Sequence, residues 1–284
     1  YSVSNALYQR AVRLALDEGL PLTTHAAESA AETDLVRRGA GPFADALQAR
    51  GIATPLRAPS TIALLERLGV LEARPLLIHA VQLDGEDIAR IGQYGCPVAH
   101  CPIANARLGH GVAPVTDLLE AGAVVGLGTD SVAANNRLDL LEEARVAQLQ
   151  QRARLRSPDA LQAGTLLRMA TLDGARALGL DDRIGSLEPG KDADLCAVRL
   201  GGIHTVPTAD PTAALFHAAR GTDVVLAMVQ GRVLYRDGVF STLDVDALRP
   251  RIEDAGQRIA RAAREAESRP GRAPEPAVRS GSAP

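Results

Sequence analysis

Three short apolar runs in the first half of the chain each end in a residue able to bind a metal or move a proton. They are Leu20-Pro21-Leu22-Thr23-Thr24-His25, followed by Ala26-Ala27-Glu28; Leu76-Leu77-Ile78-His79; and Val124-Val125-Gly126-Leu127-Gly128, leading into Thr129-Asp130-Ser131. A strand buried on both faces reads as such a run, and in a β/α barrel the tip at its C-terminal end faces the interior chamber. Two imidazoles and two carboxylates on one rim are the side chains that metal-assisted hydrolysis requires.

Helix-like segments separate the runs. Ser4 is placed to cap a first helix with apolar residues at Leu7, Ala11, Val12, Leu14 and Ala15. A long Gly- and Pro-rich connection follows Glu28 and includes a helical stretch from Thr61 to Leu68. A helix from Gly85 to Gly92 leads to a strand near Pro97–Cys101, then to a loop from Pro102 to Gly111. A helix at Val115–Ala121 precedes the Asp130 strand. The alternation predicts an α/β fold with a parallel sheet and helical crossovers, four units in all, half of an eight-stranded barrel.

The texture changes after Asp130. Leu138–Gln151 and Ser157–Leu178 read as two or three helices, Gly185 to Asp194 as turns, and Leu195–Leu200 as a strand. Val224–Gln230 and Val233–Tyr235 read as a hairpin, with a second turn at Arg236-Asp237-Gly238. The expected organisation is a partial (β/α) barrel over 1–180, a partial β-sandwich over 181–243, a C-terminal helix over 244–268 and a disordered tail over 269–284. The chain opens at Tyr1, already entering a helix, and reads as truncated.

Composition removes other classes. With 284 residues and a net charge of −3, nothing favours nucleic acid or an anionic membrane. Lys191 is the one lysine, and the arginines are scattered among acids. Three cysteines, Cys96, Cys101 and Cys196, are too few and irregular for a disulfide framework, which favours a reducing, cytoplasmic setting. Cys96 and Cys101 read as two buried thiols on a strand. No apolar stretch reaches membrane-spanning length, and no Gly-rich phosphate loop follows a strand.

Each polar residue on the rim has a functional and an ordinary reading. If the strand ends at His25 and the chain turns, His25 and Glu28 point into one chamber. His25 could then hold a divalent metal while Glu28 reaches the water and the substrate; the ordinary reading is a strand-end histidine and a solvated glutamate. Asp130 is a carboxylate ligand and proton acceptor, or the N-cap of a following helix. His79 is a second ligand, a hydrogen-bond donor to a developing oxyanion, or a core histidine. His100, Asn105 and His110 are weaker candidates for touching substrate, and His204 and His217 read as structural. Asn135 and Asn136 read as ordinary turn residues.

As an ordered set, Thr24-His25-Ala26-Ala27-Glu28-Ser29, Leu77-Ile78-His79-Ala80, Ala99-His100-Cys101-Pro102 through Asn105, Gly128-Thr129-Asp130-Ser131 and Gly185–Leu195 resemble the amidohydrolase superfamily. The resemblance is to its branch of adenosine-, S-adenosylhomocysteine- and aminofutalosine-type deaminases and triazine chlorohydrolases. It implies the C-terminal half of a metal-dependent TIM (β/α)8 barrel, strands 5–8, with part of a small β-sandwich. It implies His25 and Asp130 as metal ligands, Glu28 as proton shuttle, and His79 as a hydrogen-bonding catalytic group that does not ligate. The cofactor implied is one divalent metal, zinc first, with iron or manganese as alternatives. Such enzymes carry a His-x-His pair on the first barrel strand, and this chain has none, so two ligands are expected upstream of Tyr1 and the segment alone is expected to be inactive.

The activity implied is hydrolysis of a non-peptide carbon–nitrogen bond in a small-molecule substrate, deaminating an aminated purine or nucleoside-like ring. A metal lowers a bound water's pKa from about 15.7 toward about 7, and a nearby carboxylic acid delivers a proton to the ring. Dehalogenation or cyclic-amide opening on the same fold is the second reading, and a non-catalytic scaffold the third. A homodimer is compatible with such a barrel.

Overall fold

A computed structural model describes residues 2–267 as two four-stranded sheets with helices packed around the first. The first sheet is wholly parallel, in the order β1 (Thr23–Ala26), β2 (Leu76–His79), β3 (Val98–His100) and β4 (Val125–Leu127). Chain order and sheet order coincide, so helices fill every crossover. The α/β class and the four strand–helix units expected from the apolar runs are those observed.

Local chemistry sets the helix ends. Ser4, Ser29, Ser60 and Asp84 each accept the backbone N–H three residues on, and Gly19, Gly39 and Gly95 close the first, second and fifth helices in the left-handed conformation. Helices Thr61–Arg67, Gly85–Tyr94, Val115–Glu120 and Leu140–Leu155 turn Ile62, Leu65, Ile91, Leu118 and Ala144 onto Leu77, Val98 and Val125 in one core. Burying one such side chain contributes about 1.5–3 kcal/mol. That core holds the strands in register.

Two connections are more helical than expected. The segment after Glu28 holds helices Ala30–Arg38 and Pro42–Gln48, and the expected loop from Pro102 opens with helix Pro102–Arg107. Pro42 and Pro102 occupy the first helical turn, where a missing N–H costs nothing. These prolines start helices rather than mark loops. Cys96 and Cys101 are buried, but they flank β3 instead of lying on it.

The second sheet is antiparallel: β5 (Leu195–Val198), β6 (Val224–Val229), β7 (Arg232–Arg236) and β8 (Val239–Phe240). Its two tight turns, Gln230-Gly231 and Asp237-Gly238, have positive φ at both residues, as a type I′ hairpin turn requires. A helix, Val245–Glu267, follows; Ser268 and the expected tail over 269–284 lie outside the described residues. A cleft of about 910 Å³ is lined from both sheets, by Leu76 and Leu127 on one side and Leu195 and Met228 on the other.

Gly126 shows how closely helix meets strand. A Cβ there would sit 2.9 Å from the Gly174 Cα in helix Leu172–Ala177, a backbone atom that cannot rotate away. Gly126→Ala is therefore expected to destabilise the protein by about 1–3 kcal/mol, the usual cost of overpacking. Urea unfolding checks this, and an unchanged midpoint would refute the close-approach argument.

Candidate active site

The strand tips leave regular geometry together. Ala27 (φ 52°), His79 (φ 78°), Ala80 (φ 49°) and Asp130 (φ 57°) are all left-handed. Each such non-glycine residue costs on the order of 1–3 kcal/mol, and outliers of this kind gather where side chains are held for chemistry. Hydrogen bonds stitch the tips together: Ala80 N–H to the Ala26 carbonyl at 3.1 Å, Val81 and Gln82 N–H to the Ala27 carbonyl at 2.9 and 2.7 Å, and Gly128 N–H to the His100 carbonyl at 2.9 Å.

β1 continues one residue beyond His25, and left-handed Ala27 then redirects the chain so that Glu28 joins the rim. Glu32 fixes that turn. Its two carboxylate oxygens accept the Ala27 N–H at 2.9 Å and the Glu28 N–H at 2.8 Å, and the Thr61 hydroxyl donates to it at 2.8 Å. On the last strand, the helix N-cap is Ser131 and not Asp130. Asp130 Oδ1 accepts the Ser131 N–H at 2.5 Å, while Oδ2 faces His79.

Four of the expected residues meet. Glu28 Oε1 lies 3.5 Å from His79 Nε2 and 3.3 Å from His110 Nε2; Asp130 Oδ2 lies 4.0 Å from His79 Nε2; and the His25 and His79 rings are 5.2 Å apart, centre to centre. His110 joins this group as a fifth member, its loop held by Gln82 Nε2 donating to the His110 carbonyl at 2.6 Å. His100 ends β3, and Asn105 lies on helix Pro102–Arg107. Both are fully buried.

Asn105 Oδ1 faces His79 Nδ1 at 2.9 Å, which puts the imidazole proton on Nδ1. Burial lowers the His79 pKa, and although Glu28, Asn105 and Asp130 act in the opposite sense, the net shift is downward. His79 Nε2 is then a bare acceptor without a hydrogen bond, aimed between two carboxylates. An acceptor among acceptors calls for a cation or a proton donor. His25 and Asp130 are donors of the types zinc takes, but catalytic zinc sites use three protein ligands. Among the described residues no three His, Cys, Asp or Glu side chains form a group able to hold a metal ion. The donor chemistry fits zinc; the donor number is partial.

The residues that support this rim differ in how visible they are in the sequence. Glu32 completes a Ser29-x-x-Glu32 capping-box spacing, a signal visible in the sequence. Glu143, fully buried on helix Leu140–Leu155, and Asn135 carry no comparable mark.

A parallel sheet of βα units with imidazoles and carboxylates gathered on its C-terminal rim defines the class of barrel-type α/β proteins with a rim site. The chain matches the amidohydrolase family over residues 1–234, and it belongs to that family. It is 40% identical over 239 residues to a 5-methylthioadenosine/S-adenosylhomocysteine deaminase of Moorella thermoacetica, covering 84% of this chain and 52% of the relative. A protein of the same name from Syntrophobacter fumaroxidans is 38% identical over 254 residues, with 89% and 54% covered. The chain thus spans about half the length of the curated relatives it matches. Among solved structures, a zinc-bound adenosine deaminase from Xanthomonas campestris superposes with a TM-score of 0.81 at 33% identity, over 92% of this chain and 55% of that one. Zinc-bound atrazine chlorohydrolase from Arthrobacter aurescens gives 0.73 at 29% identity, over 87% and 51%.

His100 makes the fold acid-sensitive. Burial pushes its pKa from 6.5 down to about 3, and neither ring nitrogen has a partner. The unfolded chain therefore binds a proton that the folded one refuses, so this contribution to stability is complete above 6.5 and is lost as pH falls from there toward 3. The slope per proton is about 1.4 kcal/mol per pH unit. His100→Gln is expected to flatten unfolding midpoints measured between pH 6.5 and 4.5. An equally steep decline in the variant would contradict this assignment.

Proposed function

We propose that the protein containing this segment is a metal-dependent deaminase of adenine-type nucleosides, and that the segment supplies strands 5–8 of its barrel and part of its β-sandwich. The observation that carries the reading is Glu28 Oε1 at 3.5 and 3.3 Å from two imidazole nitrogens, with Asp130 Oδ2 4.0 Å from the same His79 Nε2. The deaminase names of relatives at 38–40% identity support the substrate class. The apolar cleft of about 910 Å³ and the coverage of about half of each relative support a longer barrel.

His25 and Asp130 would hold the metal, zinc by donor type, together with ligands from outside this segment. When bound, the metal supplies acidification of the attacking water. Asp130 Oδ2 is placed to accept the proton released on attack. Glu28, nearly buried between His79 and His110, is placed to carry a proton to the ring nitrogen before ammonia departs. His79, held by Asn105 through Nδ1, orients the reacting oxygen with Nε2. We further propose a small-molecule substrate with no nucleic-acid partner, a homodimeric assembly and a cytoplasmic setting. Three free cysteines support the last, and among the described residues no helix is long and apolar enough to cross a membrane.

The intact zinc-loaded protein is expected to release ammonia from adenosine, 5-methylthioadenosine or S-adenosylhomocysteine. Glu28→Gln should lower kcat by about 10²–10⁴-fold, the usual contribution of a positioned acid or base. Full turnover in that variant would remove Glu28 from its role. Because a chlorohydrolase also superposes, chloride release from a chlorotriazine without ammonia release from any nucleoside would favour dehalogenation instead.

A further inference from the structure

We propose that Glu143 is a positioning residue that locks the Asp130 turn to the Asn105–His79 pair. The proposal rests on the roles assigned above to Asp130 and His79 and extends them to a residue that touches neither. Glu143 is fully buried on helix Leu140–Leu155, and each of its carboxylate oxygens serves a different arm of the site.

One arm runs to Asp130. Asn135 Nδ2 donates to Glu143 Oε1 and, at 2.6 Å, to the Thr129 carbonyl, the residue before Asp130. The Asp130 backbone is left-handed, so an external tie at its neighbour holds a conformation that the chain alone disfavours. The other arm runs to His79. Glu143 Oε2 accepts the Ile103 N–H at 3.1 Å in the first turn of helix Pro102–Arg107, whose N-cap residue Cys101 provides no side-chain hydrogen bond. The carboxylate thus caps that helix from outside, where the positive end of the helix dipole favours it. Two residues further along, Asn105 holds His79 Nδ1 at 2.9 Å.

An ionised carboxylate in this setting is costly. Burial raises the Glu143 pKa to about 7, with both hydrogen bonds pulling against the rise. Leu or Met would fill the same space without that cost. What an apolar side chain cannot do is accept two N–H donors from separate elements. Gln cannot do so either: its amide nitrogen would meet either Ile103 N–H or Asn135 Nδ2, donor against donor.

The test uses the intact protein and the variants Glu143→Gln, Asn135→Ala and both together. A positioning role predicts a fall in kcat of about tenfold or more in each single variant, since small misplacements of reacting groups are expensive, with KM within about twofold. The double variant should be at least as slow as the slower single one, because Asn135→Ala unties the Asp130 arm and Glu143→Gln unties at least one of the two. Unchanged kcat in the single variants, or a double variant faster than either, would overturn the proposal. So would a lower unfolding midpoint with normal kcat, the signature of a purely structural carboxylate. If Glu143→Gln does not fold, Asn135→Ala alone decides the Asp130 arm by the same kcat criterion. If the wild-type protein releases no ammonia, the deaminase reading fails, and crystal structures still decide this one: Asp130 and Asn105 unmoved in Glu143→Gln would end it.

Discussion

Parallel register is the constraint on which the site depends. His25, His79 and Asp130 are far apart in the chain, yet each lies at or just past the C-terminal end of a strand whose neighbours run in the same direction. In an antiparallel sheet, alternate tips would lie at opposite ends and the same sequence would scatter these side chains. Register in turn depends on the core. Leu77, Val98 and Val125 are buried in the strands, and slipping any of them by one residue would turn its apolar set to the other face.

Much of the scaffold and rim was legible in the sequence, because a buried parallel strand leaves a distinctive trace. Short apolar runs leading to His or Asp announce both the strand and the side chain at its tip. The hairpin was legible for a similar reason: Gln230-Gly231 and Asp237-Gly238 suit the turns they form. Helices Ala30–Arg38 and Pro102–Arg107 were not, because nine or six residues are too few for helical periodicity to stand out, and Pro102 reads equally as a loop residue. His100 and Asn105, expected as weaker substrate contacts, are fully buried. Spacing shows that a residue is near a strand end, but not how much of it is exposed there.

The supporting carboxylates were the hardest to see. Glu32 keeps the Ser29-x-x-Glu32 spacing, but that spacing does not show which N–H groups its carboxylate will bind, and nothing in the spacing of Glu143 separates it from the more exposed Glu142. What distinguishes them is the demand of distant backbone. Ala27 and Glu28 need their N–H groups satisfied in a left-handed turn, and Ile103 needs a cap. Those needs arise only once the chain has folded, so no local pattern encodes them. Both acids accept two N–H donors, one on each carboxylate oxygen.

The distribution of roles across the sheet carries its own logic. His25 and Asp130, the metal-donor candidates, stand on or beside β1 and β4, the two edges of the parallel sheet, whereas His79 stands on an inner strand. Each edge strand leaves backbone donors and acceptors on one side without a partner strand among the described residues, and closing a sheet into a barrel removes such edges altogether. Closure would occur next to the two edge residues, so strands that satisfied the open hydrogen bonds would also bring new side chains beside His25 and Asp130. The inner residue already has Asn105 at Nδ1 and Glu28 beside Nε2 within this segment. Under the proposed function, the proton-handling part of the site would be built within this segment and the cation-holding part shared across its edges. On that reading, pairing of the edges and completion of the donor set would be one event, and metal affinity in the intact protein would be linked to its stability.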